Sequence, residues 1–99
     1  MQIYAIALTP RAFDDLEQIR EFLVSRSPAG ADNVRQAINA TLSHLSERPQ
    51  LGRNRPDLAV RAIGVPRYHY SIYYRIGVRT IEIIHVRDDR RRPLAPGDL

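Results

Sequence analysis

The side chains best suited to chemistry lie near the C-terminal end of the sequence, in the segment HVRDDRRRP at positions 85–93. An imidazole can exchange a proton near neutral pH, and a guanidinium can bind phosphate oxygens. His85 beside Arg87 could therefore act in proton transfer on a phosphate ester. The alternative is that His85 is a half-buried strand residue whose ring is hydrogen-bonded to a backbone carbonyl.

No other motif of a metal site or catalytic centre is found. The three histidines, His44, His69 and His85, include no HxxxH pair, and a zinc site needs three or four converging ligands. The absence of cysteine excludes disulfides, thiolate ligands and cysteine nucleophiles. Asp14 and Asp15 are better explained by their place near a helix N-terminus than by acid-base catalysis. We therefore expect neither a metal nor a cofactor.

The charge balance favours an acidic partner. All 15 basic residues are arginine, against 11 carboxylates, which gives a net charge of +4. Arginine is always charged and binds carboxylates and phosphates with two donors at once, so the excess favours an acidic protein segment or nucleic acid. An arginine-only basic set can also reflect genome composition.

Two helices are predicted in the first half of the chain. Thr9-Pro10 supplies an N-cap hydroxyl and a proline at the first helical position, and predicts a helix over 10–26. Its apolar stripe comprises Phe13, Leu16, Ile19, Phe22 and Leu23, and its opposite, solvated face comprises Arg11, Asp15, Gln18 and Glu21. Ser27-Pro28 is read as a break, and a second helix over 31–48 completes a hairpin.

Strand signals come first and last. The apolar run 2–8 precedes the helices, and the segments 59–65, 68–76 and 79–87 follow a loop over 49–56. The order β-α-α-β-β-β predicts an α+β fold with a helical hairpin packed on a largely antiparallel sheet. The last strand is apolar on both faces, with Ile81, Ile83 and His85 alternating with Glu82, Ile84 and Val86, and should be central.

The composition predicts one small domain. A chain of 99 residues, 43% of them hydrophobic, buries too little surface for two cores. We predict a single domain over 1–92 and a flexible tail over 93–99, which contains two prolines and a glycine. No signal peptide or run of ~18 apolar residues is seen, so we expect a soluble cytoplasmic protein without a membrane partner.

Four segments in this order resemble the RelE/ParE superfamily of type II toxin–antitoxin toxins. They are LTPRAFDDLEQIREFL, the loop RPQLGRNRPDL, the strand YSIYYRI and the closing IEIIHVRDDRRRP. The resemblance covers residues 3–93 and is closer to the ParE-like branch. It implies a plasmid-stabilisation type toxin that a co-encoded antitoxin neutralises by wrapping it with an acidic amphipathic segment, in a hetero-oligomer.

The resemblance leaves three activities open. ParE-like members act on DNA gyrase without a reaction of their own, whereas RelE-like members cleave mRNA on the ribosome as metal-independent endoribonucleases. The third possibility is an inactive toxin retained as an antitoxin-binding corepressor. Ser71 stands where the RNA-cleaving branch has an arginine, three residues before Tyr74, and Asp88-Asp89 stand where that branch has a basic or histidine-tyrosine pair. These departures favour gyrase as the target.

Two sets of site residues follow from the resemblance. If the protein is a ribonuclease, its catalytic candidates are Arg61, Arg67, His85 and Arg87. The candidates for binding antitoxin or target are Phe22, Leu23, Arg61, Arg67, Arg87, Arg90, Arg91 and Arg92. We expect the apolar stripe of the first helix and the neighbouring hairpin groove to receive the antitoxin. The arginine run 90–92 is interpreted as a binding handle, with a solvated tail as the alternative.

Overall fold

The computed structural model describes residues 3–99. Two helices pack on a five-stranded mixed sheet, which confirms the predicted α+β class. The elements are β1 (Ala5–Leu8), α1 (Pro10–Val24), α2 (Pro28–Glu47), β2 (Arg53–Arg55), β3 (Val60–Gly64), β4 (Tyr70–Ile76) and β5 (Thr80–Asp88). Short 3-10 turns cover Pro49–Leu51 and Pro96–Asp98. The part of the first predicted strand at Gln2 lies outside the described residues.

The strand order across the sheet is β1-β5-β4-β3-β2. β1 pairs with β5 in parallel, and the other neighbours are antiparallel. β5 therefore lies inside the sheet, as its apolar composition predicts. The short β2 lies in the segment predicted to be a loop. It was not predicted because a strand of three residues is too short to show an alternating pattern. No helix within residues 3–99 is long and apolar enough to cross a membrane.

Both helices begin with a hydroxyl cap followed by proline. The Thr9 hydroxyl accepts a hydrogen bond from the amide of Ala12 at 3.1 Å, and Ser27 accepts one from Gly30 at 3.0 Å. The second helix thus begins at Pro28, three residues before the predicted start. The predicted break between the helices is present at residues 25–27, and only the predicted start of the second helix was wrong. Proline is favoured at the first helical position, where no amide hydrogen is needed, so Pro28 begins the helix and does not precede it.

The main core lies between the helices and the sheet. Only Ala12 of α1 is fully buried, whereas α2 buries several side chains along its length. The innermost side chains of this core are Ala12, Leu45, Ile72, Tyr74, Ile81 and Ile83. Most of the first helix therefore lies at the rim of the core, which leaves its apolar stripe partly open.

An irregularity in β5 changes which side chains face the helices. Tyr74 pairs with Ile83 and Tyr73 pairs with His85, so Ile84 is an extra residue on β5, as in a β-bulge. Ile83 lies in the core beneath the helices, while Ile84 packs in a second cluster on the opposite face. The predicted alternation holds up to Ile84 and is wrong from His85 onwards, because the extra residue shifts every later side chain to the other face.

The second cluster lies on the sheet face away from the helices and is covered by the C-terminal segment 93–99. Leu94 is only 9% exposed and packs with Tyr73 and Ile84, and Leu99 contacts the same cluster. The segment predicted to be a flexible tail thus lies against the sheet. Whether it moves in solution stays a prediction.

The loop between α2 and β3 is fixed by a buried tyrosine. The hydroxyl of Tyr74 donates to the carbonyl of Pro49 at 2.6 Å and accepts from the amide of Gly52 at 2.8 Å. Arg61 donates to the carbonyl of Gly52 at 2.8 Å. A Cβ at position 52 would collide with the Tyr74 ring, so glycine is required there. The loop segment PQLGRNRP at positions 49–56 is accordingly held to the sheet by these hydrogen bonds.

Candidate functional site

A connected set of charged side chains joins α1, β5 and the C-terminal segment. We call it the charged network, and its members are Arg11, Asp15, His85, Arg87, Arg92 and Asp98. It is positioned by the bulge in β5, which sends His85 and Arg87 to the sheet face away from the main core. Both side chains are buried, with 5% and 6% of their surface exposed.

Asp15 occupies the open edge of β5. The parallel pairing with β1 ends at Ile83, so the β5 edge beyond it has no neighbouring strand. The Asp15 carboxylate accepts a hydrogen bond from the backbone amide of Val86 at 3.0 Å and lies 2.6 Å from Nδ1 of His85. One carboxylate oxygen therefore satisfies a strand amide and orients the imidazole.

The neighbours of His85 determine which ring nitrogen carries the proton. Nη2 of Arg11 lies 3.4 Å from Nε2 of His85, and a guanidinium can only donate. Nε2 is therefore the acceptor, and Nδ1 carries the hydrogen that is donated to Asp15. The ring of Tyr73 stacks alongside, with 6.1 Å between centroids. Both nitrogens of His85 are engaged within the protein.

The arginines of the network converge on the C-terminal segment. Arg87 donates to the backbone carbonyl of Arg92 at 2.7 Å, and Arg11 donates to that of Asp98. Arg92 holds the Asp98 carboxylate with two hydrogen bonds of 2.7 and 2.9 Å. These bonds, the Ala95 amide and the charge of Arg87 hold the pKa of Asp98 well below its usual range.

The four ribonuclease candidates are not brought together. Arg61 pairs with Tyr74, on the sheet face opposite His85 and Arg87, and is bound to the Gly52 carbonyl. Arg67 lies in the exposed turn between β3 and β4, with a positive φ of 74°. Only His85 and Arg87 share a face, two residues apart on β5.

Sequence reasoning missed Arg11 and Asp15. Both were placed on the solvated face of the first helix, and Arg11 is exposed as predicted. The assignment was wrong for Asp15, whose side chain is only 16% exposed, because this part of α1 lies along the edge of β5. Their four-residue spacing puts them on one helix face, which is a usable signal for a shared contact. The identity of that contact depends on the position of β5, which is seventy residues away along the chain.

An apolar groove of about 430 Å³ is lined by residues of both helices. We call it the interhelical groove, and its apolar lining comprises Leu16, Ile19, Leu23, Val24, Ala31, Val34 and Ile38. Of the two helix residues predicted to bind the antitoxin, Leu23 lines this groove. Phe22 lies beside it, 52% exposed, with the guanidinium of Arg26 3.8 Å from its ring centroid.

The arginine run 90–92 is exposed, and two of its members are paired within the chain. Arg90 bonds Asp88 at 2.7 Å and Arg92 bonds Asp98 at 2.7 Å. Arg90 lowers the pKa of Asp88 to about 2. Within residues 3–99, Arg91 makes no side-chain hydrogen bond or ion pair. Asp89 accepts a hydrogen bond from Ser71 at 3.1 Å, so the two acidic residues are used locally.

No metal site is found among the described residues, where no three histidine, cysteine or carboxylate side chains are grouped to hold an ion.

The chain belongs to the ParE toxin family of type II toxin–antitoxin systems, parDE, whose family model matches residues 6–93. It is 26% identical over 89 residues to Toxin RelE3 of Caulobacter vibrioides, covering 89% of this chain and 97% of that relative.

A solved structure of the chromosomal ParDE TA system from P. aeruginosa has the same fold, with a TM-score of 0.71. The two sequences are 24% identical, and the match covers 85% of this chain and 94% of that one. The family match confirms the predicted superfamily, and this structure confirms the predicted fold.

Proposed function

We propose that this toxin acts on DNA gyrase in the cytoplasm, catalyses no reaction of its own and is neutralised by a cognate antitoxin. The observation that carries the proposal is the state of the ribonuclease candidates. Arg61 and Arg67 lie away from the other two, and His85 and Arg87 are buried beneath the C-terminal segment.

The chemistry of RNA cleavage makes this arrangement unfavourable. A ribonuclease needs a group that takes the proton of the 2′-hydroxyl, cations for the phosphate and a group that protonates the leaving oxygen. Both nitrogens of His85 are already bound, to Asp15 and Arg11.

RNA cleavage is the second candidate, and two observations favour it. The curated relative carries the name Toxin RelE3. His85 and Arg87 also share one sheet face, so a displaced C-terminal segment would expose an imidazole and a guanidinium side by side. A retained but inactive corepressor is the third candidate, which predicts antitoxin binding without growth arrest.

Two parallel assays on the purified free toxin separate the candidates. We expect loss of DNA supercoiling by gyrase and intact mRNA on translating ribosomes. Ribosome-dependent RNA cuts with unchanged supercoiling would instead establish the second candidate. The variant Arg67→Gln tests the ribonuclease set directly, since that set predicts weaker cleavage. Arg79→Gln is its matched control, because Arg79 also has a positive φ in a turn of the same sheet.

For the antitoxin, we propose that an amphipathic acidic segment binds in the interhelical groove. The groove is apolar along its floor, and its rim carries two arginines and two carboxylates, Arg20, Arg35, Glu17 and Asp32. Arg35 is paired with Asp32 at 2.8 Å, so Arg20 is the rim arginine left for a carboxylate of the antitoxin. Apolar side chains of the antitoxin would fill the floor, and its carboxylates would approach Arg20.

Leu23→Asp tests this docking, because it places a charge on the groove floor and should weaken antitoxin binding at least tenfold. Phe22→Asp is the second variant, as its half-exposed side chain tolerates charge without loss of the fold. Val78→Asp, at a 93% exposed site in a distant turn, is the control. Circular dichroism separates lost docking from misfolding, and full affinity in both folded helix variants would contradict the groove as the site.

A further inference from the structure

The charged network holds more positive charge than its own carboxylates neutralise. Three guanidiniums, those of Arg11, Arg87 and Arg92, donate hydrogen bonds to residues 92–98. Only Arg92 is bonded there to a carboxylate, while the other two donate to backbone carbonyls, which are neutral acceptors. Asp15 does not balance them, because its bonds go to the His85 ring and the Val86 amide.

Arg87 carries an unused donor inside this cluster. Arg87 is only 6% exposed, so water does not readily reach its Nε atom. This Nε atom is buried and has no hydrogen-bond partner among the described residues. A buried guanidinium N–H without an acceptor is unfavourable and is rarely left so in a folded protein. The side chain is therefore placed to receive an additional acceptor, and a negatively charged one would bind most strongly.

Asp98 is the group that covers this cluster. Its carboxylate is held by Arg92, its backbone carbonyl by Arg11, and the charge of Arg87 acts on it. Asp98 belongs to a segment that is attached to the sheet through few side chains, chiefly Leu94 and Leu99. Because so few side chains hold this segment on the sheet, an external anion can take the place of the Asp98 carboxylate.

We propose that Arg11, Arg87 and Arg92 form a binding site for a phosphate group, and that Asp98 closes this site in the free protein. A phosphate suits this site better than a carboxylate, because it has more oxygens and a higher charge. It can accept hydrogen bonds from Arg11 and Arg87, which now donate to neutral carbonyls, and from the unpaired Nε of Arg87. The phosphate can come from a free anion or from a nucleic-acid backbone. The site is separate from the interhelical groove and goes beyond the proposed function, since it requires no reaction and no antitoxin.

Calorimetric titration of the purified full-length toxin with inorganic phosphate at low ionic strength tests the site. Asp98→Asn keeps the shape of the side chain and removes its charge, so it should raise the affinity for phosphate about tenfold over wild type. Equal affinity in the two proteins would overturn the proposal, because Asp98 would then not compete with the anion.

Substitution of the arginines locates the binding. In the Asp98→Asn background, Arg87→Gln and Arg92→Gln should each abolish the gain, whereas Arg91→Gln, an exposed arginine one residue away, should leave it intact. Arg92 is exposed, so that variant keeps the test valid if the buried Arg87→Gln protein fails to fold by circular dichroism. An equal loss with Arg91→Gln would overturn the site in favour of general charge attraction.

A competition arm distinguishes the sources of the phosphate. A short single-stranded oligonucleotide that displaces inorganic phosphate from the Asp98→Asn protein identifies a backbone phosphodiester as a ligand. Phosphate binding that the oligonucleotide does not disturb identifies the free anion.

Discussion

The two faces of the sheet are built in different ways. The face beneath the helices is an apolar core of regular strand and helix positions, with Tyr74 anchoring a loop at its edge. The opposite face is a smaller apolar cluster joined to the charged network and covered by the C-terminal segment. The first face thus depends on local periodicity, and the second on a bulge and on contacts between residues far apart in the chain.

The largest expected effect comes from breaking the second face at Asp15. Asp15→Ala leaves the buried Nδ1–H of His85 and the amide of Val86 without an acceptor, and should lower the free energy of unfolding by about 3 kcal/mol. Urea denaturation measures it. Asp14→Ala is the matched control, since the neighbouring carboxylate is exposed and should matter by less than about 0.5 kcal/mol. Equal effects would mean that the contact to β5 contributes nothing.

A smaller effect is expected on the first face at Gly52. Gly52→Ala forces a methyl group into the Tyr74 ring and should cost about 2 kcal/mol of unfolding free energy. Gly64→Ala serves as the control, because a Cβ there meets no atom within 4 Å. Thermal unfolding compares the two, and a Gly52→Ala protein as stable as Gly64→Ala would contradict the close packing of this loop.

Removing the hydroxyl of Tyr74 tests the same loop attachment and is expected to lower the stability less than Gly52→Ala does. Tyr74→Phe leaves the Pro49 carbonyl and the Gly52 amide without their partner and should cost about 1.5 kcal/mol. Hydrogen exchange should become faster at Gly52. In Tyr70→Phe, where the hydroxyl has no hydrogen-bond partner among residues 3–99, stability should be unchanged, and a similar loss there would count against the anchor.

The smallest effect is a dependence on pH at the end of β5. Arg90 holds the pKa of Asp88 at about 2, below the usual carboxyl value of roughly 3.9. The folded-state pKa is depressed, so the ion pair stabilises the fold above pH ~4 and is lost as the pH falls towards ~2. The pair is largely exposed, so the loss should be slight. Urea midpoints from pH 5 to pH 2.5 should fall less steeply in Asp88→Asn, and identical slopes would contradict the pairing.

The same contrast explains what could be predicted from the sequence. Thr9-Pro10 and the helical spacing of apolar residues define α1, and the alternation in β4 correctly separates Tyr74 from Tyr73. Proline in Ser27-Pro28 is compatible with both a break and a helix start, so periodicity alone misplaced the beginning of α2.

The charged network could not be predicted, because its geometry depends on the extra residue Ile84. Nothing in the alternation of β5 indicates that His85 turns away from the helices. Asp15 and Arg11 meet His85 only because β1 ends where α1 begins, which leaves the edge of β5 open to the helix. Such a contact follows from the topology of the whole domain and from no local motif.

The most direct test of the proposed gyrase target is the supercoiling activity of purified DNA gyrase, titrated with the toxin alone and with the toxin bound to its antitoxin. We predict that the free toxin abolishes supercoiling, that the antitoxin restores it and that mRNA on ribosomes stays intact. Unchanged supercoiling at saturating toxin, together with ribosome-dependent cleavage of mRNA, would contradict it.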